Sequence, residues 1–399
     1  MNIFEKLTDS QTWDEYFLYK KERRHLTKSE EKDLAEYIEG KEYIEAVEKL
    51  FDFNDMPIPE KKLIRKMQTD KKRVVYMYPR EVNYVIKLMT FLLLRKYDDI
   101  FSPSLYSFRV NTGVGKAIGR ILRAPGLKTS YTYKVDISNY FNSIPVEKMC
   151  EKLRVVMAGE PQLLKLFEGL LKDERVLDKG NVISEEKGVM AGTPFAVFLA
   201  NLYLMDLDTA MDKEEDLLYA RYSDDIIVFA QDEKRREEAS SFIKSTLAEK
   251  DLCVNEKKEI RTNPGESWSF LGIGYLNGKV DISSVSKEKI KSKMRRKARA
   301  LKRWQIKKGV SGERAIKGFI NAMNKKFFDP DSSHELTWAR WYFPVINTDE
   351  TLKELDRYMQ YWIRYLATGK HNKKSYEFTY EDMKALGYIS LVHEWYKES

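Results

Sequence analysis

Residues 217–230, LLYARYSDDIIVFA, decide the fold of this 399-residue chain. Two runs of aromatic and β-branched residues flank the polar step Ser223–Asp224, which predicts two strands joined by a tight turn. Asp224 and its neighbour Asp225 therefore lie at the tip of a predicted β-hairpin. By itself an Asp-Asp pair at a turn is ordinary turn chemistry, so its meaning depends on the rest of the chain.

A third aspartate ends another predicted strand. Residues 131–137, YTYKVDI, alternate and are rich in β-forming residues, and they place Asp136 88 residues before Asp224. Three converging carboxylates repel one another, and a divalent cation relieves that repulsion. Oxygen ligands with no His or Cys nearby suit Mg²⁺. Two such ions can activate a 3′-hydroxyl and stabilise a leaving pyrophosphate.

Helical patterns surround these strands. The stretch SEEKDLAEYIEG predicts a helix that is capped at Ser29 and stops at Gly40. Thr193 and Pro194 are typical of an N-cap and first helical position, and they predict one long helix through LANLYLMDLDTAM. Further helices are expected at 82–96, at 233–250 and after Ser283, and strands at 252–262 and 268–282.

Charge is unevenly distributed along the chain, whose net charge is +8. Residues 287–326 contain 16 Lys or Arg and 2 acidic residues, whereas residues 1–60 contain 9 basic and 16 acidic residues. A basic belt on an otherwise acidic chain favours a polyanion such as nucleic acid as partner, although a solvated helix face is the alternative. We call residues 287–326 the basic belt.

The remaining composition excludes several classes. A hydrophobic fraction of 43% argues against disorder, and no stretch approaches the roughly 20 apolar residues of a membrane span. No membrane partner is therefore expected. Two cysteines and four histidines are too few for a disulfide framework and fit no zinc site. A reducing cytoplasm is the expected location.

Several segments together resemble the ordered motifs of reverse transcriptases. YKVDISNYFNSI (133–144), GVMAGTPFAVFLANLYL (188–204) and ARYSDDIIVFA (220–230) resemble motifs A, B and C. LCVNEKKEIRT and FLGI resemble motifs D and E, while KKRVVYMYP and SPSLYSFRVNTGVGKAI resemble the finger motifs. The chain is similar over about residues 65–275 to bacterial reverse transcriptases with retron-like and group II intron-like polymerase domains.

This resemblance implies an α+β fold, the right-hand polymerase, with an antiparallel palm sheet. It implies a helical N-terminal extension over 1–60, fingers and palm over 61–283, and a helical, basic thumb and C-terminal region over 284–399. The implied activity is that of an RNA-directed DNA polymerase using two-metal phosphoryl transfer. The implied cofactor is a pair of Mg²⁺ ions, with Mn²⁺ as the alternative.

The resemblance also assigns roles to individual residues. Asp136, Asp224 and Asp225 would be catalytic and would bind metal, and Ile137 joins this metal-binding set. Lys258 matches the motif D lysine, a candidate general acid for pyrophosphate, although adjacent Lys257 leaves a plain solvated charge as the alternative.

Substrate and nucleic-acid contacts follow from the same motifs. The implied substrate-binding residues are Arg73 at the triphosphate, Phe141 at the steric gate against a ribose 2′-hydroxyl, Gly192 and Arg109. Core packing is the alternative for Phe141. The implied primer grip is Phe270, Leu271 and Gly272, although a plain hairpin would look alike. Within the basic belt, the expected contacts to nucleic acid are Arg295, Arg296, Lys297 and Arg299.

Motif B departs from the usual pattern. Ala191 stands where the family has Gln, and Ala196 and Val197 replace Ser-Pro. These changes favour the unknown-group and abortive-infection-type reverse transcriptases, many of which serve in phage defence, over intron and retron enzymes. The expected partners are a structured non-coding RNA as template, a DNA product and dNTPs, and an oligomer is left open. The alternatives are a template-independent or protein-primed DNA polymerase and an RNA-binding, maturase-like protein.

Overall fold

The computed structural model describes residues 1–23, 26–65, 72–328, 338–370 and 373–398. The chain forms two compact units, Met1–Pro264 and Gly265–Ser399. The fold is α+β, as expected. The predicted boundaries at residues 60 and 283 separate functional regions (extension, fingers and palm, thumb) rather than compact units. This division stays a prediction.

The first unit contains most of the helices. These are α1 (Ile3–Leu7), α2 (Ser10–Glu22), α3 (Lys28–Glu39), α4 (Glu42–Leu50), α5 (Arg80–Lys96), α6 (Val114–Arg123), α7 (Tyr140–Ser143), α8 (Val146–Val156), α9 (Pro161–Lys172), α10 (Ala196–Tyr203), α11 (Met205–Asp212) and α12 (Glu233–Glu249). Short 3-10 helices lie at Asp98–Ile100, Leu127–Thr129 and Glu256–Lys258.

Two four-stranded sheets complete the first unit. Their strands are β1 (Glu60–Arg65), β2 (Lys72–Met77), β3 (Tyr131–Asp136), β4 (Arg175–Asp178), β5 (Asn181–Ser184), β6 (Leu218–Tyr222), β7 (Asp225–Ala230) and β8 (Ile260–Thr262). The order of one sheet is β2-β1-β4-β5, with β1 and β4 parallel. The other has the order β6-β7-β3-β8 and is antiparallel throughout, which confirms the predicted palm sheet.

The N-terminal helices belong to the core of the first unit. The ring of Trp13 is completely buried, and its indole nitrogen donates to the carbonyl of Leu7 at 2.8 Å. The hydroxyl of Tyr37 donates to the carbonyl of Glu81 in α5 at 2.9 Å. The Tyr37 contact joins α3 to α5, and residues 1–60 belong to the same compact unit as the palm sheet.

The second unit is a small sheet followed by helices. The antiparallel strands β9 (Trp268–Phe270), β10 (Ile273–Leu276) and β11 (Lys279–Ile282) lead into α13 (Ser284–Lys308), α14 (Gly312–Phe328), α15 (Trp338–Tyr342), α16 (Glu350–Thr368), the 3-10 helix Lys373–Glu377, α17 (Tyr380–Ala385) and α18 (Leu391–Glu398). Helical spacing predicts one apolar face of α13 from Ile290, Met294, Ala298 and Leu301. The first three are buried, and Leu301 is half-buried.

Some predicted boundaries are wrong. Helix α3 is capped by Thr27 rather than Ser29, because Thr27 and Glu30 form a reciprocal capping box. The hydroxyl of Thr193 donates to the carbonyl of Met190 at 2.9 Å and closes a turn, so the following helix begins only at Ala196. That helix is interrupted at Leu204, which divides the predicted long helix into α10 and α11.

Among the described residues, no helix combines the length and apolar character needed to cross a lipid bilayer.

Candidate active site

The hairpin β6–β7 presents two aspartates at its tip. Tyr222 pairs with Asp225, and Ser223 and Asp224 form the two-residue connection. Ser223 has a φ of 60°, the left-handed conformation that such a connection requires. Its backbone N–H donates to the Oγ of Ser107 at 2.8 Å. The loop that carries Ser107 therefore contacts the hairpin tip and stabilises it.

Strand β3 brings the third aspartate beside this tip. Asp136 is the last residue of β3 and lies directly opposite Asp225 in the antiparallel register. The backbone N–H of Ile137 donates to the carbonyl of Asp224 at 3.0 Å. Opposed residues of neighbouring strands have Cβ atoms about 4.5–5.5 Å apart. The three aspartates predicted from the sequence thus lie at one end of the palm sheet.

Burial and mutual repulsion shape the charge of this cluster. Burial raises the pKa of Asp224 above its ordinary value, and the charges of Asp136 and Asp225 raise it further. Asp136 is buried and accepts from the Nζ of Lys258 at 2.7 Å and from the Nδ2 of Asn255 at 3.3 Å. Lys258 therefore partly neutralises the cluster.

Lys258 lies beside the aspartates as the motif D resemblance predicts. Although desolvation opposes its charge, the hydrogen bond to Asp136 and the surrounding carboxylates raise the pKa of Lys258 above its ordinary value. It follows that Lys258 enters the site as a cation. Asn255, which the sequence analysis did not single out, holds the other oxygen of Asp136 and also donates its backbone N–H to the Asp136 carbonyl at 2.7 Å.

The donor chemistry of the cluster fits a hard divalent cation. Within the residues that the structure describes, no three His, Cys, Asp or Glu side chains are arranged to enclose a metal ion, and Asp136 engages Lys258. Even so, three oxygen ligands whose repulsion is relieved by a cation suit Mg²⁺ or Mn²⁺. The side chain of Ile137 is apolar and buried, so only its backbone carbonyl offers a ligand.

A buried ion pair that the sequence analysis missed supports the hairpin. Arg221 and Asp208 have no exposed side-chain surface, and their closest approach is 2.5 Å. Arg221 also donates to the Ser223 carbonyl at 3.1 Å, and Tyr219 donates to Asp208 at 2.7 Å. An Arg inside the apolar run LLYARY was the available signal, because a buried charge requires a partner.

Two predicted substrate residues lie next to each other. Phe141 in α7 is mostly buried, and the guanidinium of Arg73 on β2 lies 5.8 Å from the centre of its ring. The carbonyl of Phe141 accepts from the backbone N–H of Val189 at 2.9 Å. The motif B loop therefore holds the residue at the predicted steric gate.

The same loop closes on β2 through a glycine. Gly192 has a φ of 102°, and a Cβ there would lie 2.8 Å from the Cβ of Val75. Neighbouring Ala191 accepts from the N–H of Tyr76 at 2.8 Å and donates to the Oδ1 of Asn142 at 2.9 Å. The backbone at Ala191 is therefore fixed from both sides, whatever side chain occupies this position.

Arg109 is placed differently from the other finger residues. Its guanidinium binds Asp98 at 3.0 Å and donates to the carbonyls of Asp98 and Ser102 within its own loop. These contacts organise the loop, and the geometry lends no support to the predicted contact of Arg109 with substrate.

The remaining predicted residues belong to the second unit. Phe270 is buried at the end of β9, and Leu271 and Gly272 connect it to β10 with φ values of 49° and 91°. A left-handed leucine is a strained conformation of the kind that persists at functional sites. On α13 the belt residues Arg295, Arg296, Lys297 and Arg299 are all exposed.

An antiparallel sheet with aspartates at the adjoining ends of two neighbouring strands defines the class of palm-type polymerases. Residues 58–275, more than half of the chain, match the family described as reverse transcriptase (RNA-dependent DNA polymerase). The chain belongs to this reverse transcriptase family.

The individual proteins to which this chain is similar share low sequence identity with it. The retron Ec86 reverse transcriptase of Escherichia coli is 24% identical over 229 residues, which are 56% of this chain and 65% of the relative. The chain thus spans less than two thirds of that curated relative. The apo telomerase of Candida tropicalis shares 14% identity over 83% of this chain and 68% of its own, with a TM-score of 0.49. The telomerase of Candida albicans in complex with a telomeric RNA fragment shares 12% identity over 86% and 66%, with a TM-score of 0.47.

Proposed function

We propose that the protein is an RNA-directed DNA polymerase that extends a DNA primer along an RNA template with deoxynucleoside triphosphates. The observation that carries this proposal is the register of Asp136 opposite Asp225, next to Asp224, in a chain of the reverse transcriptase family. A cluster of carboxylates whose burial and repulsion disfavour full ionisation is suited to binding cations rather than to supporting the fold.

The proposed chemistry is nucleotidyl transfer. Asp136, Asp224 and Asp225, with the carbonyl of Ile137, would hold two divalent ions, Mg²⁺ or alternatively Mn²⁺. Bound there, the ions would lower the pKa of the primer 3′-hydroxyl and stabilise charge on the leaving pyrophosphate. The 3′-hydroxyl would lose its proton to water, and its oxygen would bond to the α-phosphorus as the bond to pyrophosphate breaks. Lys258 would supply a proton to the departing oxygen.

The surrounding residues would select and orient the substrates. Arg73 would bind the triphosphate, while Phe141 would lie against the sugar and exclude a 2′-hydroxyl. The backbone N–H of Val189 would hold Phe141 in position, and Gly192 would let the same loop approach β2 closely. The primer grip at residues 270–272 and the basic belt of α13 would bind the primer strand and the RNA phosphates.

The proposed setting is the copying of an associated, structured non-coding RNA in the cytoplasm as part of antiphage defence. Support comes from the motif B changes at Ala191, Ala196 and Val197, which favour the unknown-group and abortive-infection types. Cells carrying the wild-type gene should then resist phage, and cells carrying Asp224→Asn should not. Equal plaque counts across a phage panel would reject the defence role and leave the polymerase proposal intact.

Primer extension tests the polymerase proposal directly. The purified protein should extend a DNA primer on an RNA template with Mg²⁺ and dNTPs, and Asp224→Asn should not. Asp99→Asn, which changes an exposed aspartate of the same unit, is the matched control and should retain activity. Equal synthesis without any template would favour the template-independent alternative. RNA binding without synthesis under any of these conditions would favour the maturase-like alternative.

A further inference from the structure

A groove outside the proposed polymerase site lies between α13 and α16 of the second unit. Its volume is about 570 Å³, which falls within the range of about 300–1,000 Å³ that is common for small-ligand sites. The residues that decide its chemistry are Arg295, Arg299, Arg357, Tyr358, Tyr361 and Trp362. The groove therefore combines cationic groups with aromatic rings.

The positive charge of the groove is mostly uncompensated. Lys291, Arg295 and Arg299 follow one another at intervals of four residues and so share one face of α13. The carboxylate in the lining is that of Glu354, and it is already bound to Lys287 at 2.7 Å and to Lys291. Within the described ranges, no carboxylate forms an ion pair with Arg295, Arg299 or Arg357.

The aromatic rings are held in positions that suit stacking. The rings of Tyr358 and Tyr361 are nearly parallel, with 14° between their planes and 6.2 Å between their centres. The exposed fraction of Tyr361 is 42%. The guanidinium of Arg299 lies 5.9 Å from the ring of Trp362, and the ammonium of Lys291 lies 5.4 Å from that of Tyr358. Cations and aromatic faces thus alternate across the groove.

We propose that this groove binds one unpaired nucleotide of an RNA strand. The base would stack on Tyr361, and Arg295 and Arg299 would bind the flanking phosphates. A fully paired duplex buries its bases in its own stack and offers only phosphates to such a surface. This inference rests on the proposed RNA partner, and it adds a site that recognises an unstacked base rather than a sequence or a helix.

The chain provides a matched control for this proposal on the same helix. Arg296 and Arg303 are exposed on α13 but do not line the groove. Arg295→Gln/Arg299→Gln and Arg296→Gln/Arg303→Gln remove equal charge from one helix. A general electrostatic attraction to RNA would weaken equally in both double variants, whereas a preference for an unpaired nucleotide would be lost only in the first.

The test uses the full chain and three labelled RNA hairpins that differ at one position. One hairpin carries a single bulged adenosine, one is fully paired, and one carries an abasic bulge. Wild-type protein should bind the adenosine bulge about ten-fold or more tightly than the other two. Tyr361→Ala and Arg295→Gln/Arg299→Gln should lose this preference. Tyr361→Phe should keep it, and Arg296→Gln/Arg303→Gln should weaken binding of all three hairpins alike.

Several results would overturn the proposal. One is that Tyr361→Ala prefers the adenosine bulge as strongly as wild type does. Another is that the two double variants reduce this preference equally. A third is that micromolar AMP or an acidic peptide displaces the bulged hairpin. Primer extension on a template without bulges is measured in parallel on every variant. If wild-type protein prefers the bulge but extends no primer, the polymerase proposal fails alone. If it extends primers without that preference, only the groove assignment fails.

Discussion

The ammonium nitrogen of Lys258 lies 2.7 Å from a carboxylate oxygen of Asp136, and the two residues are 122 positions apart in the chain. The lysine comes from the 3-10 helix before β8, which pairs with β3 on the side away from β7. A cation supplied by the protein thus shares its carboxylate with the proposed metal site, so Lys258 and a divalent ion compete for Asp136.

Lys258→Met should therefore lower two quantities, the rate of incorporation and the Mg²⁺ concentration that the enzyme requires. The single-turnover rate of incorporation should fall about 100-fold, because a general acid contributes roughly 10²–10⁴-fold. The Mg²⁺ concentration for half-maximal activity should fall, because the competing ammonium is gone. Both are obtained from one set of rapid-quench titrations. Lys257→Met is the control, and equal effects of the two substitutions would contradict the assignment of Lys258.

Asp224→Ala should abolish synthesis while the fold persists. A carboxyl whose folded pKa is raised contributes a penalty that appears as pH rises through its unfolded pKa and is complete above its folded pKa. At neutral pH the metal-free variant should therefore be at least as stable as metal-free wild type. Thermal melts with and without Mg²⁺ check this, since only wild type should gain stability from the ion. A folded variant that incorporates nucleotides at a rate within a few-fold of wild type would contradict the catalytic assignment of Asp224.

Phe141→Ala should relax the choice of sugar. Removing the ring opens space beside the 2′ position, so the ratio of ribonucleotide to deoxyribonucleotide incorporation should rise about 10- to 100-fold. Phe141→Tyr retains the ring and should retain discrimination. Competition between dCTP and CTP in primer extension measures the ratio. If the ratio is the same in all three proteins, Phe141 is a core residue and the gate lies elsewhere.

Replacing Arg295, Arg296, Lys297 and Arg299 by Gln should flatten the salt dependence of RNA binding. Each lost phosphate contact lowers the slope of log affinity against log salt by about 0.7–0.9. Filter binding over a range of salt gives the slopes. The control removes four exposed lysines from α3, α4 and the turn between them, by changing Lys28, Lys32, Lys41 and Lys49 to Gln. Identical slopes for the belt variant and wild type would show that the belt is a solvated surface.

Arg221→Met should destabilise the first unit by about 3–5 kcal/mol, because it leaves the carboxylate of Asp208 buried without its partner. Arg221→Met/Asp208→Leu should recover much of this loss, since no unpaired charge remains. Urea denaturation monitored by fluorescence gives the free energy of unfolding of wild type, the single variant and the double variant. If the double variant is no more stable than the single one, the burial argument is wrong.

The hairpin and its aspartates could be predicted because their signals are local. The two runs of aromatic and β-branched residues within 217–230 and the polar turn at Ser223–Asp224 are sufficient to define two antiparallel strands. The assignment of Asp136 to the neighbouring strand also followed from the motif order. Helical spacing likewise predicted the buried face of α13.

Other features depend on tertiary packing and could not be predicted. Only the packing of α11 beneath β6 reveals Asp208 as the partner of Arg221. The sequence did not reveal the ion pair of Arg109 with Asp98, and the contact of Arg109 with substrate stays a prediction. Local propensity predicted Thr193 as an N-cap, whose hydroxyl oxygen would accept from a backbone N–H of the helix. The hydroxyl instead donates to the carbonyl of Met190, and the helix begins only at Ala196.

The position of β3 inside the palm sheet also sets an order of events during synthesis. Both neighbours of β3, namely β7 and β8, are encoded after it. Asp136 is translated 88 residues before Asp224 and 122 residues before Lys258. The carboxylate cluster can therefore be assembled only after nearly all of the first unit has been translated.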